Sequence, residues 1–245
     1  MHISGSGHIP AGEYNDKISV SGSGRLDGHV RCTAFSASGS AHCAGDLECT
    51  EDIRVSGSAH IDGNVTANAV SVSGSAHFGG DLTAKETVRI AGSGSVGGDV
   101  KCGVLHCAGS IKVEKGIEAE EFRSAGSLRC GGLVNAETVE ISLDTHASSS
   151  VGSIGGGEIR IYRKHQGKPP KRRGALLSRL LGGAGAYLTV SELIEGDVVA
   201  LECVQAPTVV GRVVAIGAGC EIDLVQYSEE VEIDPDAKVG RCEKV

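Results

Sequence analysis

The sequence predicts an all-β fold, a right-handed parallel β-helix whose coils of 17–18 residues are interrupted by one basic insertion. Three observations predict it. First, a phrase recurs, clearest between Val55 and Val65, and its central Gly57 has counterparts at Gly5, Gly22, Gly39, Gly74, Gly92, Gly109 and Gly126, each 17 or 18 residues from the last. Second, with that glycine as position zero, apolar residues fall at −4, −2, +4 and +8, as in Ile53, Val55, Ile61 and Val65, or Val88, Ile90, Val96 and Val100. Alternation of this kind is a strand period of two. Third, no 3.6-residue period is present, and the coils are filled with Gly, Ser and β-branched residues that helices disfavour. A left-handed β-helix repeats its apolar residues every six positions; the unequal spacings here favour the right-handed form.

Taken in order, the first coil starts almost at the N-terminus, with Ile3, Gly5 and Ile9 already in the repeat and neither a leader nor a cap before them. An uncapped coil offers free backbone N–H and C=O groups as a template for another chain. Ile3 and Ile9 are therefore the expected polymer interface. Coils two to six, from about Ile18 to Lys101, are the most regular. Positions 0 and +2 read as inward and carry Gly or Ala, as at Gly57 and Ala59. Position +6 is Gly28, Gly45, Gly63, Gly80, Gly98 and Gly132, which suggests turns with φ > 0.

Three polar columns follow from the period. Position +1 is Ser in eight coils, from Ser6 to Ser127; eight equal serines speak for a structural ladder and against a catalytic one. Position +3 reads His8, Arg25, His42, His60, His77, Ser95, Lys112 and Arg129. A metal-binding or pH-sensing role competes there with plain surface exposure. Zinc needs convergent ligands, which a flat ladder does not supply, so exposure is the expectation. Position +7 gives Asp46, Asn64, Asp81 and Asp99, read as solvated turn residues.

Coils seven to nine drift. Ile111 and Leu128 replace the small residue at +2, which implies a wider cross-section. Val139, Ile141, Ala147 and Val151 fit −4, −2, +4 and +8 of a ninth coil centred on Leu143, and a last strand runs through Ile159 and Ile161. Residues 160–179 then hold eight Lys or Arg and no acid, so the rest of a chain with net charge −8 carries −16. Pro169 and Pro170 stop any strand. Residues 175–181 would form a short helix with its leucines clustered, and Lys168, Lys171, Arg172, Arg173 and Arg179 make a basic patch. The repeat then returns: Ile194–Val198 and Val209–Val213 reproduce Ile61–Val65, with further strands at Ile216, Ile222–Val225 and Val231–Ile233 before a charged tail. The expected organisation is a β-helix over 1–162, a basic insertion over 163–187, further coils over 188–234 and a tail over 235–245.

Composition agrees. Aromatic residues are 3% and Trp is absent, so the core must be aliphatic and thin, which a stack of coils tolerates. The nine Cys are odd in number and form no CxxC. With no signal peptide they read as reduced thiols in a cytoplasm, and Cys43, Cys107 and Cys130 sit at inward positions as small hydrophobes. No apolar stretch reaches 18 residues, so no membrane span is expected.

The evenly spaced SGSx…GxV coils over roughly Ile3–Ile161 resemble the bactofilin family of polymer-forming cytoskeletal proteins. The later segment Ile216–Tyr227 resembles the C-terminal part of a longer branch of that family in Gram-positive bacteria. The resemblance implies a right-handed β-helix that polymerises end to end without nucleotide or other cofactor and acts as a scaffold in motility, flagellar assembly or cell shape. It implies as partners further copies of the chain and a related bactofilin paralogue. An anionic membrane surface bound through 163–181 is the alternative the basic run offers. Nucleic acid is disfavoured, because the run lacks interleaved aromatics for base stacking. A β-helix enzyme, acyltransferase or lyase, is the third class; the period opposes the first, and seven aromatics are few for the sugar stacking of the second. The expectation is a non-enzymatic, cytoplasmic structural protein, membrane-associated if the insert binds lipid.

Overall fold

The computed structural model describes residues 1–144, 148–164 and 187–245. Among them every regular element is a strand and the strands pair in parallel. The +3 column threads the whole molecule: His8, Arg25, His42, His60, His77, Ser95, Lys112, Arg129, Ser150, Thr189, Gln205, Glu221 and Lys238, each paired with the next. These thirteen residues mark thirteen coils. The molecule is the β-solenoid that the period predicts, consistent with a right-handed β-helix. The basic patch from Lys168 to Arg179 and the expected short helix lie outside the described residues.

Each coil has three faces, shown in the fourth by Ile53–Val55, Ser58–Ile61 and the start of Val65–Val72. The alternation seen in sequence puts one side chain in two inside. Ile53, Val55, Ile61 and Val65 are at most 1% exposed, and each stacks on its counterpart in the next coil. Burying such a side chain fully is worth about 1.5–3 kcal/mol. The core is one continuous column of these residues from Ile9 to Val225.

Two glycine columns have a different cause from the one expected. Position zero is a half-buried corner, not an inward site. A Cβ on Gly39, Gly57, Gly74, Gly92 or Gly109 would run into the backbone carbonyl oxygens of the preceding coil, so stacking distance selects glycine there. At +6 only Gly28 has positive φ, at 116°. The others are required by their neighbours: a Cβ on Gly63 would stand 2.7 Å from the Asp46 backbone nitrogen, and Gly80 and Gly98 are crowded in the same way by Asn64 and Asp81. Those +7 side chains are more than solvated turn residues. Asp46 Oδ1 accepts the Asn64 N–H at 2.7 Å, Asn64 Oδ1 that of Asp81 at 2.9 Å, Asp81 Oδ1 that of Asp99 at 2.9 Å, and Asp99 Oδ1 that of Gly116 at 2.8 Å. The turn N–H of each of coils four to seven is thereby satisfied by the coil before it. Lys115 reaches Asp81 and Asp99 together, at 3.7 and 3.6 Å, and offsets the repulsion of two stacked carboxylates. The serine column makes no comparable ladder: no hydrogen bond joins the side chains of its eight members.

The bulk at Ile111 and Leu128 is compensated rather than accommodated by widening. Where +2 is Gly94, −2 is Ile90; where +2 grows to Ile111 and Leu128, −2 shrinks to Cys107 and Ser124, and all six pack in the interior. In the ninth coil the pair reverses again to Ile141 and Ser149, whose hydroxyl oxygen accepts the Leu128 N–H at 3.1 Å.

The register of the later coils differs from the expected one. Leu143 is not a corner; it ends the strand Ser127–Leu143, 1% exposed and paired with Arg163. Val151 pairs with Cys130 and so stands at +4 rather than +8, and Ile154 holds the +8 place opposite Val134. The cause is a step of 21 residues, from Ser127 to Ser148, that lengthens the corner after Leu143; Ala147 falls outside the described residues. Ile194 likewise stacks on Ile154, and Val209 on Ile194, at +8 rather than the +4 of Ile61. Their Gly196 and Gly211 follow the third face, with Gly156 beneath them, instead of the second. The charged segment after Asp234 is ordered: Lys238–Lys244 is a strand paired with Glu221–Ile233, although its side chains are largely exposed.

Candidate functional site

The sequence brings chemistry-bearing side chains together at one place, on the second face of coils three to five. Strands Ser40–Cys43, Ser58–Ile61 and Ser75–Phe78 stack in register, with Ala41, Ala59 and Ala76 buried and His42, His60 and His77 pointing away from the core. The column converges, contrary to a flat ladder. Asp62, two residues after His60 on the same side of the chain, turns back over the column. Its Oδ1 lies 2.8 Å from His60 Nε2 and its Oδ2 lies 3.1 Å from His42 Nε2, one coil away. The rings of His42 and His60 meet edge to face at 5.2 Å, and those of His60 and His77 stack at 4.6 Å. His77 Nδ1 is held by Ser95 Oγ at 2.6 Å. Hydrogen bonding from His42, reinforced by His60, holds the Asp62 carboxyl below the usual carboxylate range. The +5 carboxylate belongs to none of the columns singled out in the sequence, and its signal there is the His-x-Asp spacing within one strand register.

The other expected site residues sit apart. Ile9 is fully buried and Ile3 half-buried, with Tyr14 folded back over the first coil and its hydroxyl donating to the Pro10 carbonyl at 2.7 Å. Eight of the nine free cysteines are buried, and Cys242 is exposed. Burial pushes the Cys102 thiol up to about 12 and those of Cys107 and Cys220 up to about 11, so they stay protonated as packing groups. Among the described residues no helix is long and apolar enough to cross a membrane.

Residues 1–83 match the family described as "Bactofilin: Polymer-forming cytoskeletal". This stretch is similar to a bactofilin domain. The match ends within coil five, and among the described residues the same columns of paired residues run on through eight further coils. Two curated relatives come from Bacillus subtilis (strain 168). The uncharacterized protein YhbF is 33% identical over 114 residues, 46% of this chain and 42% of the relative. The uncharacterized protein YhbE is 35% identical over 118 residues, 48% of this chain and 45% of the relative. The chain thus spans less than half the length of these relatives. No solved structure matches.

Proposed function

We propose that this chain is a scaffold subunit that assembles end to end with further copies of itself, without nucleotide, and positions partners in motility or cell shape. The observation that carries the reading is the unbroken in-register stack. Ser6–Glu13 is hydrogen-bonded to Ser23–Cys32 on one side only, so its other edge presents the spacing and the backbone groups that every internal coil offers the next. A ladder of this kind is continued, at about 4.8 Å per coil, by any chain that presents the same three faces. The bactofilin match supports the polymer-forming character. Negative-stain electron microscopy of the purified chain, with and without ATP or GTP, tests it. Thin unbranched filaments of equal length under both conditions are expected, and dispersed monomers would overturn the reading.

A second reading, attachment to an anionic surface through the basic segment, is favoured by one observation, the eight Lys or Arg of residues 160–179 in an otherwise acidic chain. Co-sedimentation with phosphatidylglycerol vesicles, lost with salt and in the triple variant Lys171→Glu, Arg172→Glu, Arg173→Glu, is its signature; equal sedimentation of both proteins would exclude it.

A further inference from the structure

We propose that His42, His60 and Asp62 bind a divalent transition-metal ion of the Zn2+ class, which fastens coils three and four together and keeps one coordination position open. The three side chains offer two imidazole nitrogens and one carboxylate oxygen, all within 4.8 Å of one another. Ligands held at about 2.0–2.1 Å by a tetrahedral zinc stand roughly 3.3 Å apart. Asp62 Oδ1 stands 2.8 Å from His60 Nε2 and Asp62 Oδ2 3.1 Å from His42 Nε2, both a little short of that value, so small side-chain rotations suffice. The backbone does not have to move, because the ladder already fixes His42 opposite His60.

The donor set selects the ion. Two imidazoles and one carboxylate suit borderline cations, whereas Mg2+ and Ca2+ prefer a set made wholly of oxygens. In coils two and seven the +3 and +5 positions hold an ordinary ion pair. Arg25 Nε meets Asp27 Oδ1 at 3.1 Å in coil two, and Lys112 pairs with Glu114 in coil seven. Coil four alone among these replaces the permanently charged cation with an imidazole that can lose its proton, and coil three supplies a second imidazole to the same carboxylate. His77 completes the arrangement without being a ligand: stacked on His60 and anchored by Ser95, it fixes the plane of the His60 ring. The three ligating side chains are each about half exposed, which leaves solvent or a group from a partner to fill the fourth position. On binding, the metal takes the place of the protons that the two Nε2 atoms share with Asp62. Each imidazole then carries its single proton on Nδ1, and any excess proton passes to solvent.

Zinc chloride titrated into the full chain with Cys242 replaced by serine, in competition with a chromogenic chelator, tests the proposal; the substitution removes the one exposed thiol. One Zn2+ per chain is expected, with affinity falling at least about tenfold in His42→Ala, His60→Ala and Asp62→Ala and far less in His77→Ala. Zn2+ should raise the melting temperature of the parent and not that of His60→Ala. Absence of binding, or binding that survives both His60→Ala and Asp62→Ala, would overturn the site.

Discussion

Ile90 Cδ1 lies 2.8 Å from the point where a Cβ on Gly94 would stand. The same corner one coil on holds Cys107 and Ile111, and the next holds Ser124 and Leu128. Each corner therefore has room for one large side chain, contributed from either position. Gly94→Ile alone should overpack the corner and cost about 1–3 kcal/mol. Combining it with Ile90→Cys, which transplants the Cys107–Ile111 pair, should recover most of that loss, with a coupling of about 1 kcal/mol or more. Equilibrium denaturation of the parent, both singles and the double checks this; strict additivity would show that the two positions do not share a space. Ile90→Asp, by contrast, puts an unpaired charge into a site 1% exposed and should prevent cooperative folding.

The carboxylate and amide ladder at the second corner gives a finer test. Asp81→Ala leaves the Asp99 N–H without its acceptor and removes one partner of Lys115, and should cost about 1 kcal/mol. Asp81→Asn keeps an oxygen in the same place, as Asn64 does naturally, and should recover the larger part. Ser58→Ala, whose hydroxyl is exposed, should cost about 1 kcal/mol or less. Thermal melts of the three variants rank them, and an equal loss in Asp81→Ala and Asp81→Asn would mean that charge, not the hydrogen bond, holds the turn.

The sequence made the coil length and the inward columns plain because each is repeated many times: Ile53, Val55, Ile61 and Val65 lie where the period puts them. It misled where one local phrase serves two corners. An apolar residue, a polar one, Gly, a polar one and an apolar one read alike at Ile61–Val65 and Ile194–Val198, yet the first turns out of the second face and the second out of the third. Only pairing with Ile154 distinguishes them. The position-zero glycines were visible as a column, but their cause, a carbonyl of another coil, acts across 17 or 18 residues and leaves no local mark. The His42–His60–Asp62 cluster escaped for the same reason, since Asp62 reaches back to a coil 20 residues earlier.

The last coil should be sensitive to acid. Lys238, by hydrogen bond and charge, holds the Glu221 carboxyl below its ordinary value of 4.5, and Gln205 assists. A carboxyl with a depressed folded value contributes stability at every pH above its unfolded value and loses it as the pH falls through the folded one. Amide exchange of Lys238–Lys244, corrected for its intrinsic pH dependence, should therefore lose protection as the pH drops below about 4.5. Glu221→Gln should show weaker protection at neutral pH and no such further loss. An unchanged acid response in that variant would place the titrating group elsewhere.

Assembly through the first coil can be separated from its folding. Ile9 is fully buried within the chain and stacks on Leu26, so Ile9→Lys should unravel the first coil and abolish filament growth, while the cooperative melt of the later coils persists. Ile3 is half-buried and pairs with Val20 on one side only, so a lysine there can reach solvent in the monomer but not beneath a second rod. Ile3→Lys should thus leave the monomer's circular dichroism and melting temperature near those of the parent and still suppress filaments. Light scattering and electron microscopy read the outcome. Filaments of normal length in both variants would move the growing interface away from the first coil, to the edge of Lys238–Lys244, where Val239 is half-buried and Cys242 exposed in columns that are buried in the coils before. In that case Val239→Lys, not Ile3→Lys, should stop growth.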